Sequence, residues 1–124
     1  MPVAATDTDT VGVNIVILIG EVTSPLVTRT LTDGTISSSF DLATVTSDGR
    51  FSVPVVMHGE SAVVSVGSAL CVAGVVRRRF FRTGSAVASR TEVLAHTVQS
   101  VTRRAQVRKS VARALANLPE ELTL

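Results

Sequence analysis

The chain has 124 residues, 45% of them hydrophobic, with twelve Lys and Arg against ten Asp and Glu and a single cysteine, Cys71. That length and apolar content suit one domain with one core and exclude a solvated coil, while one cysteine excludes an internal disulfide and a thiolate metal cluster. Charge is unevenly placed: residues 77–113 carry ten of the twelve basic side chains and one acid, Glu92, a local +9, whereas residues 1–76 hold two Arg against seven acids, or −5.

Residues 1–11 are small, polar and Thr/Asp-rich, and read as a mobile arm. They lack the basic start of a secretory signal, the lone cysteine fits a reducing compartment, and the expected location is the cytoplasm. Asn14 to Val22 is a β-branched run broken by Gly20, too short to span a bilayer and best read as a buried strand. Pro25 and Asp33-Gly34 mark irregular chain and a turn. Thr35 to Thr46 reads as a second strand with Phe40 and Leu42 on its core face. Asp48-Gly49 then signals a hairpin into a third strand, Phe51 to His58. Phe51, Val53, Val55 and Met57 share one side of it, and Pro54, lacking an N–H, belongs at an edge or a bulge. Glu60 to Val66 is a short connection. Ser68 to Arg79 is the fourth strand, Arg82 to Ala86 a flexible tip, and Val87 to Val98 the fifth. Five strands punctuated by glycine suggest a small barrel.

From about Gln99 the pattern turns helical. Val107, Val111, Ala114, Leu115 and Leu118 fall on one helical face, and Pro119 stops the helix, leaving residues 119–124 as a tail. Arg103, Arg104, Arg108, Lys109 and Arg113 flank and oppose that stripe. Three readings of this helix compete: phosphate contacts, packing on the barrel or a sister subunit, and a solvated charged face. No Trp and no bulky aromatic lies on its apolar side, which argues against a membrane-surface helix.

The densest basic run is Arg77 to Arg82, RRRFFR. Guanidinium groups attract phosphates and phenyl rings stack on unpaired bases, the chemistry of single-strand nucleic-acid binding. Phe80 and Phe81 are adjacent and must point to opposite sheet faces, so one of them is expected in the core. Phe51 stays open between core and surface. His58 and His96 are isolated, so no metal is expected; Cys71 reads as a small buried hydrophobe. No Ser-His-acid set, phosphate-cradling Gly loop or paired-carboxylate arrangement is recognisable, so no enzyme and no cofactor is expected.

Four segments in order resemble the bacterial single-stranded DNA-binding protein family: NIVILIGEVTSP (Asn14 to Pro25), SFDLAT (Ser39 to Thr44), VGSALCVAG (Val66 to Gly74) with the VVRRRFF that follows it, and RTEV (Arg90 to Val93). The chain is also similar to the small primosomal replication protein that shares that family's fold. The resemblance covers roughly residues 12–98 and implies an OB-fold. It implies that Phe81 is a base-stacking aromatic, that Arg77 and Arg79 face phosphates, and that subunits pair through the first strand. The family's third-strand aromatic falls on Ser52, one residue from Phe51, so Phe51 reaches that surface only through a bulge. The connecting helix of the family is shortened, its acidic C-terminal tip is missing, and a cationic helix is added.

The combined expectation is an all-β, five-stranded OB barrel over residues 12–98 with a shortened connecting helix and an added basic amphipathic α-helix over 99–118. Its expected function is binding single-stranded DNA without sequence preference in replication, recombination or repair, as a homodimer or homotetramer and without a membrane. Arg77, Arg79, Arg82 and Arg90 supply backbone contacts, Phe81 stacks, and Phe51, Arg103, Arg104, Arg108 and Lys109 extend the surface. The alternative is a protein-interaction OB module of a replication or repair assembly with incidental DNA contact; a third reading is an RNA-binding OB domain.

Overall fold

The computed structural model describes residues 12–117. The expected arm, Leu118 and the tail lie outside the described residues, as does the side chain of Arg104. The Val- and Thr-rich first hundred residues form six strands: β1 (Val16–Val22), β2 (Val27–Thr30), β3 (Ile36–Thr46), β4 (Gly49–His58), β5 (Ala69–Thr83) and β6 (Ala86–Ser100). They are followed by α1 (Arg104–Ala116). Neighbours run β1-β5-β6-β4-β3-β2, and β1 also pairs β3, which closes the sheet. All pairings are antiparallel except β4 with β6.

β1 and β2 are two halves of one bent strand. Residues 16–21 pair with β5, and Glu21, Val22 and then 27–30 pair with β3. Counted so, the sheet is a closed five-stranded barrel with one C-terminal helix, the OB-fold. The bend falls at Thr23 to Leu26, around Pro25. The stretch expected to be irregular up to Gly34 therefore contains a strand, too short for its alternation to show in sequence. Gly20 is where β1 crosses β3: a Cβ there would collide with the carbonyl of Ala43. Gly74 plays the same part against the carbonyl of Leu94, beside a register shift that leaves His96 unpaired in β6.

The core holds Val22, Phe40, Leu42, Val55, Met57, Leu70, Val72, Val93 and Ala95, with Val64 closing one end. Phe40 and Cys71 are buried, as their alternation suggested. The segment between β4 and β5 has only turns, with Val64 N–H donating to Ser61 O and Ser68 N–H to Ser65 O. Val64 of this segment is buried against the core. Asn14 extends the β1–β5 pairing with its side chain: its Nδ2 donates to Val76 O at 2.6 Å and its Oδ1 accepts from Val76 N at 2.8 Å.

Several boundaries differ from the sequence reading. The β3–β4 turn is Ser47-Asp48, since Thr46 pairs with Gly49. Gly49 takes positive φ (131°) as the first residue of β4, a backbone conformation that L side chains rarely adopt. The tip expected to be flexible is a two-residue Gly84-Ser85 turn with positive φ at Gly84 (64°) alone, which matches the twist of its flanking strands and lets them continue to Thr83 and Ala86. β6 likewise runs past Val98 to Ser100, opposite Leu70, so the helix begins at Arg104 rather than near Gln99.

α1 packs against β5 and β1. Cys71 and Ala73 point away from the core and yet are buried, as is Ala114 on the helix. Ser110, not Leu115, completes the docked face with Val107, Val111 and Ala114; Leu115 is exposed. Small side chains at 110 and 114 let the helix approach the sheet closely. Its start is fastened by Gln106, whose Oε1 accepts from Thr102 N (2.7 Å), Thr102 Oγ1 (2.8 Å) and Arg103 N (3.1 Å). The first turn has no acid, and Arg103 at the N-cap opposes the helix dipole.

Candidate nucleic-acid interface

The barrel has one outward face that is continuous across five strands. Parity from the core residues places Val27 and Arg29 of β2 beside Ser37, Ser39 and Asp41 of β3. Pro54, Val56 and His58 of β4 come next, then Arg90, Glu92 and Leu94 of β6, and finally Arg77, Arg79 and Phe81 of β5. Within this face an open groove of about 220 Å³ is lined by Val27, Arg29 and Leu31 on one side and Arg77 and Arg79 on the other, with Ser37, Ser39, Val56 and His58 as its floor.

Glu92 organises the arginine side of the groove. Its side chain is fully buried, and it is the cross-strand partner of Arg77. Arg77 donates from Nε to Glu92 Oε2 at 2.9 Å and brings Nη2 to 2.8 Å from the same oxygen, while Arg79 Nε lies 3.4 Å from Oε1. One carboxylate thus holds two guanidiniums, whose side chains remain 37% and 42% exposed, and the cluster keeps a net positive charge. Arg79 also sits over the Phe81 ring, 5.3 Å from its centroid, a cation–π contact that fixes the half-buried ring. Arg90 Nη2 is 3.9 Å from Asp41 Oδ1, a long, exposed pair of little energetic weight. Arg29, across the groove, has no ion-pair partner among the described residues.

Of the residues expected from sequence, this face brings together Arg77, Arg79, Phe81 and Arg90. It does not include Arg82, which alternates to the inward side of β5 with Arg78 and Phe80. Phe51 also has inward parity: β3 and β4 pair without a register shift, so no bulge turns it outward, and it lies 49% exposed at the start of β4. Pro54 sits where β4 has β3 as its one neighbour, just before β6 joins at Val55, which is the edge its missing N–H demands. Neither Phe80 nor Phe81 is in the core, against expectation, because the β5–β6 hairpin continues beyond the barrel and its inward side meets no opposing layer. Arg103, Arg108, Lys109 and Arg113 are exposed on or beside α1, which packs on β5 and β1 and not on the groove strands. Lys109 and Arg113 line a separate shallow polar recess with Gln99, Ser100, Gln106 and Ser110.

The sequence reading missed Arg29, Ser37, Ser39 and His58. Arg29 is one of two basic residues before position 77, which was a usable signal; the serines and the histidine carry none.

Burial of Cys71 raises its thiol pKa, so it is a poor nucleophile. Among the described residues no group of three or more His, Cys, Asp or Glu is placed to hold a metal ion. No described helix is long and apolar enough to cross a membrane.

No protein-family model matches the chain, and no curated protein sequence matches it. Solved structures do. The dimeric N-terminal domain of PriB protein from Thermoanaerobacter tencongensis superposes with a TM-score of 0.57 at 20% identity, covering 73% of this chain and 98% of that domain. The likeness is one of fold: both chains are OB barrels.

Proposed function

We propose that this protein binds single-stranded DNA without sequence preference through the outward face of its barrel, as a divergent relative of the bacterial single-stranded DNA-binding proteins. The observation that carries the reading is the Arg77–Glu92–Arg79 cluster beside Phe81. Two guanidiniums are held by one buried carboxylate with donors to spare, and a ring lies next to them. A preset cation pair contacts phosphates with little ordering cost, and an aromatic neighbour takes a base of any sequence. Val27, Val56 and the serine floor offer no array of paired donors and acceptors with which to read base edges, which fits binding without sequence preference.

The protein acts as a binding module and not as an enzyme, in DNA replication, recombination or repair, in the cytoplasm and with replication and repair proteins as further partners. The dimeric state of the PriB domain supports a homodimer. Half-buried apolar side chains along β1 leave room for a subunit contact, although α1 already packs against that strand. Arg103, Arg108 and Lys109 add long-range attraction from the side of the barrel rather than direct groove contacts.

One observation favours a second reading, a protein-interaction OB module: three of the four outward arginines already face a carboxylate. Anisotropy titration of labelled oligothymidine at two salt concentrations separates the two. Salt-sensitive binding that weakens in Phe81→Ala supports the DNA reading. Absence of binding below tens of micromolar, with a protein partner recovered instead, supports the second. Competition between oligothymidine and oligouridine decides between DNA and RNA.

A further inference from the structure

The β5–β6 hairpin has a second face that the groove does not use. Because β4 and β6 are parallel neighbours and each starts directly after its turn, both hairpin tips lie at the same end of the barrel. β6 pairs with β4 from Val93 to Ala95, so residues 86–92 and their partners on β5 extend past that pairing as a two-stranded ribbon. On the outward side of this ribbon lie Arg77, Arg79 and Phe81. On the inward side lie Arg78, Phe80 and Arg82, facing Thr91, Ser89 and Val87.

That inward side is unusual in three respects. Phe80 is 66% exposed, more than any other Phe; Val87, diagonally across the ribbon, and Val76, beyond Arg78 on the same face, are exposed as well. Phe80 is bracketed two residues away on each side by exposed guanidiniums, and Arg78 and Arg82 have no ion-pair partner among the described residues. No acid stands opposite any of the three across the ribbon. An apolar patch of this kind marks a contact surface, and its rim selects a polyanion. The patch lies on the opposite face of the same two strands that carry Arg77, Arg79 and Phe81 of the proposed groove.

We propose that the inward face, with Phe80 between Arg78 and Arg82, is a second contact surface for unpaired DNA, so that a strand leaving the outward groove passes around the hairpin and stacks a base on Phe80. The inference rests on the function proposed above. It adds a definite geometry: both faces of one ribbon grip the same strand, and the inward grip needs a longer strand than the outward one does. Phe51, inward-facing and half exposed at the same barrel end, is placed to line the far side of the path.

The test compares oligothymidines of about 6 and about 30 nucleotides, the first near the small end of the footprint of one OB barrel and the second beyond its large end. Phe80→Ala is expected to weaken the long oligomer about tenfold and the short one less than twofold. The double variant Arg78→Ala/Arg82→Ala lowers the salt slope for the long oligomer by about 1.4, at about 0.7 per phosphate lost. Exposed positions of this kind tolerate alanine, and circular dichroism with urea unfolding checks that the fold is kept. Equal binding of the long oligomer by wild type and by all three substitutions overturns the proposal. So does equal weakening of both oligomers, which would place Phe80 in the primary site. If the wild type binds neither oligomer, the function proposed above fails first, a result distinct from either of these.

Discussion

The two faces of the β5–β6 hairpin are built from the same residue types in alternation, yet they hold their cations differently. Outward, Arg77 and Arg79 share the buried carboxylate of Glu92, and Arg79 covers Phe81. Inward, Arg78 and Arg82 stand in solvent around an exposed Phe80. The outward face gives up part of its charge to fix where the rest points. The inward face keeps its full charge, with Arg78 and Arg82 exposed and without an ion-pair partner among the described residues. Order belongs where contacts must be made in register, and unpaired charge where a polyanion has first to be attracted.

The largest difference between the faces is expected in stability. Arg77→Ala leaves a fully buried carboxylate with a single, longer partner. Allowing for the partial exposure of Arg77, the loss is about 2–3 kcal/mol in urea unfolding. Arg78→Ala, one position along, is expected to stay within about 0.5 kcal/mol. Equal losses would erase the distinction.

Next in size is the stacking term. Phe81→Ala should weaken a short oligothymidine by about 1 kcal/mol, near the low end for base–aromatic stacking because Arg79 sits over the ring, 5.3 Å from its centroid. Phe80→Ala should leave the same short oligomer unchanged.

A subtler effect comes from Glu92→Gln, which keeps the shape of the side chain and removes its charge. It should strengthen binding at low salt a fewfold and steepen the salt slope by up to about 0.7, while reducing unfolding stability. Weaker binding in this variant would mean that orientation outweighs charge in the groove.

The smallest effect concerns the turn between β2 and β3, whose Leu31 lines the groove across from Arg77 and Arg79. Asp33 Oδ1 accepts from Thr35 N at 3.0 Å and from Thr35 Oγ1 at 2.6 Å, and these bonds hold its carboxyl below the usual range. A lowered folded pKa contributes stability that is present above the ordinary carboxyl pKa and is lost as pH falls through the lowered one. Asp33→Asn should therefore cost a little thermal stability at neutral pH and narrow the gap to wild type in acid.

Much of the barrel was legible in the sequence because its signals were local. Gly20 and Gly74 interrupt apolar strands where backbones touch, Asp48-Gly49 announces a hairpin, and Phe40 alternates with Leu42 into the core. What was not legible depends on how far strands run. The ends of β5 and β6 carry no apolar alternation that could report their length, since beyond the barrel both sides meet solvent. The hairpin's extent, and with it the exposure of Phe80, was therefore hidden. The site was legible by composition and not by pairing. RRRFFR showed cations and rings, but the choice of Glu92 as the shared partner of Arg77 and Arg79 depends on β6 lying antiparallel in a register that the residues alone do not state. Arg29 enters the groove only because β2 continues a strand that the sequence appeared to end at Val22.

The central claim is that unpaired DNA lies across the outward face from β2 to β5. Amide chemical-shift mapping of the full chain with a saturating oligothymidine tests it most directly. The expected result is a set of perturbations at Arg29, Ser37 to Asp41, Val56 to His58, Arg90 to Leu94 and Arg77 to Phe81, with little change in the α1 face packed on β5 and β1. Shifts confined to α1 and the strands beneath it, with the groove residues silent, would contradict the account.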